Sequence, residues 1–126
     1  MSAAEKMVTI PTVDHGDVTV PCPAWCTGEF HQAGGHRVDI THSSPETELT
    51  VPTGTGSAVL LRLTLEQRPF TERPPRDVVF ASVEVDGDRY ACDPAQLDEL
   101  ARGLVEAAPR LRSMARRLAV LRETGR

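Results

Sequence analysis

The sequence is poor in aromatic residues and in lysine, and it contains no long hydrophobic run. Its 126 residues include one Trp, one Tyr and three Phe, so a core must be built from Val, Leu and Ala and will be thin for this length. A thin core favours a fold that a bound metal stabilises. At this length we expect one domain rather than two.

No segment approaches the ~20 apolar residues that span a bilayer, so no membrane association is expected. The first residues lead into no apolar signal core, and we therefore expect a cytoplasmic protein. Fourteen Lys and Arg stand against 18 Asp and Glu, a formal net charge of -4 at pH 7. This mildly acidic balance argues against a general nucleic-acid or anionic-membrane binder.

The composition along the chain divides it into an arm and one domain. Residues 1–17 mix polar, Gly and Pro residues and predict a flexible N-terminal arm. Residues 18–126 predict a single metal-stabilised α+β domain that ends in a long helix. Alternation of apolar residues predicts strands in this domain, at 18–20, 37–41, 48–51, 58–66, 78–85 and 89–92. With a tight turn at Asp86-Gly87, the pattern predicts a three- to four-stranded antiparallel sheet with one buried face.

A long amphipathic helix is predicted over about 93–122. Asp93 is a good N-cap, and Pro94 follows at the first helical position, where its missing N–H costs nothing. Leu and Ala then recur at alternating spacings of four and three, as in a heptad repeat, at Leu97, Ala101, Leu104, Ala108, Leu111, Ala115 and Leu118. Pro109 interrupts this pattern without shifting its phase, which leaves one kinked helix or two helices that share a face.

The length of this helix raises the question of a second surface. A helix of about 30 residues is ~45 Å long, which is more than a four-stranded sheet covers. Part of the apolar stripe therefore needs another contact, provided either by folding back at Pro109 or by a second copy in a homodimer.

Potential metal ligands are concentrated in residues 22–42. Residues 22–26 are Cys-Pro-Ala-Trp-Cys, and His31, His36 and His42 follow. Two cysteines this close, in a chain without an export signal, favour metal binding over a disulfide. Zinc takes four sulfur or imidazole ligands in a tetrahedron, so the spacing predicts a zinc site of Cys22, Cys26 and His31, with His36 or His42 as the fourth ligand. The competing interpretation is chance co-occurrence, with Cys22 as a small buried hydrophobe.

The same segment resembles a family of small uncharacterised actinobacterial proteins. The resemblance lies in residues 22–28, Cys-Pro-Ala-Trp-Cys-Thr-Gly, in His31, and in His42 ahead of Ser-Ser-Pro at 43–45. That family is defined by a Cys-Pro-x-Trp-Cys knuckle, two downstream histidines, a short β region and a C-terminal Leu/Ala-rich helix. The similarity covers roughly residues 21–119, and its specific part is the knuckle.

The resemblance implies His31 and His42 as the histidine ligands and leaves His36 as an extra histidine. The sequence departs from the family at Glu29-Phe30, because relatives usually carry an acidic residue directly before the first of these histidines. No established activity comes with the resemblance.

The residues favour a structural zinc, and we expect no catalytic residues and no enzyme activity. A structural site is closed by four protein ligands, whereas a catalytic one keeps a position for water and needs a general base. Zinc deaminases carry His-x-Glu and then Pro-Cys-x-x-Cys. Here His15-Gly16-Asp17 has the shorter acid, and the cysteine spacer is one residue too long. A zinc-dependent hydrolase or deaminase is therefore the weakest alternative.

The leading hypothesis is a non-enzymatic protein-interaction or regulatory module with a structural zinc and an unknown protein partner. The alternative is a nucleic-acid-binding regulator that uses the Arg-rich end of the helix, where six arginines after Pro109 stand against Glu123, a local charge of about +5. The residues of that surface are Arg110, Arg112, Arg116 and Arg117. The competing interpretation is a solvated face that balances the helix dipole, since no aromatic residues accompany the arginines.

Overall fold

The computed structural model describes residues 6–29, residue 31 and residues 33–125. Its strands are β1 (Lys6–Thr12), β2 (Gly16–Cys22), β3 (His42–Ser43), β4 (Thr47–Thr53), β5 (Gly56–Gln67), β6 (Phe80–Val85) and β7 (Asp88–Cys92). A 3-10 helix lies at Arg37–Asp39, and the α-helix α1 runs over Pro94–Thr124. Antiparallel sheets followed by a long helix confirm the α+β fold class. The chain divides into two compact units between Cys92 and Asp93, where the sequence predicts a single domain.

The strands β1 and β2 form an antiparallel hairpin. Its inner face builds a small core with Ile40 and Phe70, to which the hairpin contributes Val8, Ile10, Val18 and Val20. The flexible arm predicted for residues 1–17 is corrected here: residues 6–17 belong to this hairpin, and residues 1–5 lie outside the described residues. The physical reason is that apolar side chains alternate along both strands, and burying their shared face offsets the entropy of ordering the chain.

The second sheet has five strands, one more than the predicted maximum of four. Its central strand β5 pairs with β6 on one side and with both β3 and β4 on the other, and β7 pairs with β6. The strands predicted at 48–51, 58–66, 78–85 and 89–92 overlap β4, β5, β6 and β7, so these four predictions are confirmed. The additional strand β3 has two residues, too few for an alternation to be visible in the sequence.

The strand predicted at 37–41 is wrong, because residues 37–39 form a 3-10 helix. The N–H of Asp39 donates to the carbonyl oxygen of His36 at 3.0 Å, and the N–H of Ile40 donates to Arg37 at 3.2 Å. In addition, the N–H of Arg37 donates to the carboxylate of Asp14 at 3.0 Å. These bonds occupy backbone groups that a strand would present to its neighbour.

The helix α1 is continuous through Pro109, so the alternative of two helices is corrected. It begins with a capping box, in which the N–H of Gln96 donates to the Asp93 side chain and the Gln96 side chain accepts from the N–H of Asp93, each at 2.8 Å. It ends at Gly125, whose φ of 71° closes the last turn. A proline removes only one helical hydrogen bond, and the Leu-, Ala- and Arg-rich surroundings sustain the rest. Within the described residues, no helix has both the length and the apolar character that a membrane crossing requires.

Candidate metal centre

Four potential metal ligands converge in the first unit. Cys22 ends β2 and His42 begins β3, while Cys26 and His31 lie in the segment between these strands. The structure places one ligand atom from each of the four within 4.8 Å of all the others. The spacing in the sequence leaves the fourth ligand open between two histidines, and the structure brings His42 into the group.

The distances fit a tetrahedral ion. The Nε2 atom of His31 lies 3.5 Å from the Sγ atom of Cys22 and 3.5 Å from the Sγ atom of Cys26. With metal–sulfur and metal–nitrogen bonds of ~2.3 and ~2.0 Å, a tetrahedral site has sulfur–nitrogen edges of about 3.5 Å. The rings of His31 and His42 lie edge to face, with centroids 5.0 Å apart at 82°. Their nitrogens therefore reach one point from different directions.

The turn that carries Cys26 is shaped by its own backbone. The N–H of Cys26 donates to the carbonyl oxygen of Pro23 at 3.0 Å. The N–H of Gly28 lies 3.4 Å from the Sγ atom of Cys26, a contact that stabilises a thiolate. Gly28 has a φ of 76°, which favours glycine, and its carbonyl accepts the N–H of His31 at 3.3 Å. One short turn thus positions two of the four ligands.

A backbone hydrogen bond joins this turn to β3. The N–H of Thr27 donates to the carbonyl oxygen of Ser43 at 2.8 Å. The strand β3 is itself fixed on β5, because His42 pairs with Gln67 and the N–H of Ser44 donates to a β5 carbonyl at 2.9 Å. The ligands from the turn and the ligand from the sheet are therefore held in a defined relative position.

The four candidate ligands are all at least partly buried, and burial favours the metal-binding form of one of them, His31. His42 is 2 % exposed and Cys22 is 8 % exposed, and Cys26 and His31 are half-buried. Burial lowers the pKa of His31, which keeps its imidazole neutral and able to coordinate. Among the described residues, the Nδ1 atom of His31 has no hydrogen-bond partner. The atom of His31 that is placed to bind a metal is Nε2, because it lies 3.5 Å from both sulfurs.

The two other histidines lie away from this group. His36 is exposed, and its Nδ1 atom is 4.0 Å from the carboxylate of Asp39. His15 lies in the turn between β1 and β2, with its Nδ1 atom 2.9 Å from the carboxylate of Asp14. The His-Gly-Asp segment that suggested a deaminase does not join the four ligands, and the described group contains cysteine and histidine without an acid.

The arginines proposed as a partner surface lie in the second unit. They are exposed side chains of α1, and they are Arg110, Arg112, Arg116 and Arg117. None of these arginines belongs to the group of four candidate metal ligands, so they form a separate candidate site.

Three residues around the candidate ligands belong to the family motif, but the sequence assigns them no role. Thr27 and Ser43 act through backbone groups, which leave no signal in residue type. Gly28 left a weak signal, since a glycine two positions after a metal-binding cysteine is typical of a turn that points N–H groups at sulfur.

A cleft of about 650 Å³ opens beside the metal group and includes Ser43, the residue after a ligand. One guanidinium group in it, that of Arg89, donates to the Ser82 hydroxyl at 3.4 Å, and another, that of Arg68, lies 5.6 Å above the ring of Phe80. Its further polar groups are hydroxyls and four carboxylates, which belong to Thr41, Ser44, Thr64, Tyr90, Glu29, Asp39, Glu46 and Glu66. The cleft therefore offers both donors and acceptors around an aromatic side chain.

Comparison with known proteins gives a match at the level of the family. A family model described as a domain of unknown function, DUF6907, matches residues 7–120. The chain belongs to the DUF6907 family. The match begins in β1 and ends in α1, so DUF6907 includes all four ligands as well as the helix. No curated protein and no solved structure matches the chain.

Proposed function

We propose that this DUF6907 protein is a non-enzymatic zinc-binding module in which the zinc is structural and the partner is another protein. The observation that carries the proposal is the closed set of two sulfur and two nitrogen donors, all within 4.8 Å of one another. An actinobacterial origin, a Cys-Pro-x-Trp-Cys signature for the family and a regulatory role in the cytoplasm belong to the same proposal.

The donor set supports zinc over other metals. Zinc has no preference for a geometry other than the one its ligands impose, and it takes two thiolates and two imidazoles in a tetrahedron. Most iron–sulfur clusters use four cysteines, and a Rieske cluster binds its two cysteines and two histidines on different irons, whereas the Nε2 atom of His31 lies 3.5 Å from both sulfurs here. Blue-copper sites combine two histidines with one cysteine and a weak axial ligand. The group of Cys22, Cys26, His31 and His42 fits the zinc pattern.

The donor set also supports a structural role. A catalytic zinc keeps a position for water, usually by having three protein ligands, whereas here four protein side chains each offer one donor atom. A hydrolase or deaminase would require one of the four to leave the metal and an acid to serve as the general base. The group contains no acid, and so the enzyme remains the weakest alternative.

The zinc would stabilise the first unit by joining its two sheets. Cys22 belongs to the β1–β2 sheet and His42 belongs to the five-stranded sheet. The described part of the chain between them has little regular structure, and one ion bound to both ends restricts the unfolded conformations of this segment. The metal thereby substitutes for a larger apolar core.

Cobalt substitution is the experiment that tests this role. Tetrahedral Co²⁺ with two thiolates has a characteristic visible absorption, so we expect purified protein to show it after exchange and to lose it when zinc is added back. Chelation should unfold the first unit, as measured by circular dichroism and hydrogen exchange. Chelated protein with unchanged hydrogen exchange in β1, β2 and β3 would rule out a structural metal.

The cleft beside the metal supports a protein partner. Its hydroxyl, carboxylate and guanidinium groups can bind the backbone and polar side chains of an extended peptide. Ser43 links the cleft to the metal group, because Ser43 lines the cleft and directly follows His42 in β3. Zinc would hold this wall of the cleft in a binding-competent form.

A nucleic-acid-binding regulator is the second candidate. The observation that favours it is the exposure of Arg110, Arg112, Arg116 and Arg117 on one continuous helix. Binding through these side chains would fall steeply with salt, because each phosphate contact releases counterions. We would measure binding of a labelled duplex DNA and a single-stranded RNA at low and at physiological salt. Absence of binding at low salt would eliminate this candidate.

A further inference from the structure

The helix α1 carries a large apolar surface. None of its described residues is buried, and Leu111 is 76 % exposed, Val105 73 % and Met114 62 %. These residues belong to or flank the heptad stripe of alternating Leu and Ala, which runs without a break through Pro109. An exposed apolar stripe of this length marks an interaction surface.

We propose that two copies of this chain associate through α1 as an antiparallel coiled coil. This inference goes beyond the proposed function, and it rests on the helix alone and not on the metal. Two features of α1 select a second copy as the partner and an antiparallel direction as the arrangement: the alternation of residue size along the stripe, and the separation of charge along the helix.

Residue size favours the antiparallel direction. In heptad terms, one core position is always Ala and the other is always Leu along the stripe. A parallel pair would place Ala against Ala and Leu against Leu, which leaves thin and crowded layers in turn. In an antiparallel pair Ala101 lies opposite Leu111 of the second copy, and Ala108 lies opposite Leu104. Every layer then has the same volume.

Charge favours the same direction. Between residues 94 and 108 the helix carries three acids and Arg102, a net charge of -2, and from 109 to 124 it carries five arginines and Glu123, a net charge of +4. An antiparallel pair sets each acidic half against a basic half, whereas a parallel pair sets like against like.

Residue size and charge favour the same alignment of the two helices. When Ala101 lies opposite Leu111, the positions that flank the stripe bring Asp98 beside Arg112 of the second copy and Val105 beside its own equivalent. Asp98 lies seven residues before Val105, and Arg112 lies seven residues after it. A twofold arrangement centred on Val105 therefore contains the Asp–Arg pair twice. The helix is thus self-complementary, as a twofold dimer requires.

The first test is the mass of the full-length, metal-loaded chain by sedimentation velocity. We expect twice the chain mass of 13.7 kDa. Leu111→Glu, in the stripe, should produce monomers, while Val120→Glu is the matched control, because Val120 is also exposed, at 57 %, and lies on the opposite side of the helix. A monomeric wild type, or a dimer unaffected by Leu111→Glu, would overturn the proposal.

The second test determines the direction of the helices by charge reversal. Asp98→Arg and Arg112→Glu, each alone, place like charges together and should weaken dimerisation by about tenfold. An equimolar mixture of the two variants should recover the wild-type dimerisation constant, because each unlike pair re-forms between an Asp98→Arg chain and an Arg112→Glu chain. A mixture as weak as the separate variants would contradict the antiparallel arrangement. Zinc content should be unchanged throughout, so that a failure here is distinct from a failure of the metal site.

Discussion

The N–H of Thr27 donates a hydrogen bond to the carbonyl oxygen of Ser43 at 2.8 Å, and each of these residues directly follows a candidate metal ligand. This bond therefore brings Cys26 and His42 together by aligning the backbone next to each of them. It also explains why ligands 16 positions apart in the sequence meet at one point: the turn forms locally, and β3 holds its other end on the sheet.

This relationship predicts the behaviour of one amide proton. In the metal-loaded protein the Thr27 amide should exchange slowly with solvent, because its hydrogen bond and the metal ligands on both sides hold the turn closed. After chelation the same amide should exchange as fast as those of an unfolded segment. The measurement is residue-resolved hydrogen exchange by NMR. Unchanged Thr27 exchange after chelation would separate this hydrogen bond from metal binding.

Cys26→Ser tests the cysteine ligands. Serine keeps the size of the side chain but offers no thiolate, so we expect metal content to fall from one ion per chain to none and the first unit to lose stability. Cys92→Ser is the matched control, since Cys92 is also half-buried but lies at the end of β7 outside the metal group. Elemental analysis of both variants measures the result, and equal metal content in the two would exclude Cys26 as a ligand.

His42→Gln tests the fourth ligand against the histidine that the sequence left as its alternative. His42 is buried in the group and His36 is exposed beside Asp39. We expect His42→Gln to weaken zinc binding by at least ~10-fold and His36→Gln to leave it unchanged. Competition with a zinc-binding dye gives both affinities. The opposite ranking would show that His36 replaces His42 on the metal.

Asp14 links the β1–β2 turn to the 3-10 helix, and it gives a pH prediction. The backbone N–H of Arg37 is the main cause of a pKa for Asp14 below its ordinary value of 3.8, and His15 lowers it further. A carboxylate whose pKa is lower in the folded state than in the unfolded state stabilises the fold. That stabilisation is present at pH values above the unfolded-state pKa and is lost as the pH falls through the folded-state pKa.

Asp14→Asn should therefore destabilise the first unit at neutral pH. The difference from wild type should be constant above about pH 5 and shrink as the pH falls below the ordinary value of 3.8 and through the lowered folded-state pKa. Urea unfolding in saturating zinc measures it, with Asp17→Asn as a control at an exposed position of the same hairpin. A difference that grows on acidification would mean that the carboxylate does not stabilise the fold.

How much of this structure the sequence predicts depends on whether a signal is local. The alternation in β5 and the Asp93-Pro94 start of α1 are local, and both predictions are confirmed. The prediction of a flexible arm is wrong because Val8 and Ile10 form a strand only when β2 pairs with them. The strand prediction at 37–41 is wrong because the N–H of Arg37 donates to Asp14, a residue distant in sequence. The alternation of apolar residues in this segment gives no sign of that bond.

In the candidate metal site, too, the local signals are visible in the sequence and the distant contacts are not. Residue type and spacing were enough to nominate Cys22, Cys26 and His31, since zinc requires these chemical groups close together. The choice between His36 and His42 depends on β3, a strand of two residues, and on a backbone bond to Thr27. Neither has a signature in residue type, so spacing alone left that choice open.

The most direct test of a closed structural zinc site is metal content with coordination, measured by elemental analysis and X-ray absorption on protein purified without added metal. We expect one zinc per chain, with two sulfur neighbours at ~2.3 Å and two nitrogen neighbours at ~2.0 Å. A chain without zinc, or a zinc with an oxygen neighbour in place of one of these four ligands, would contradict a closed structural site.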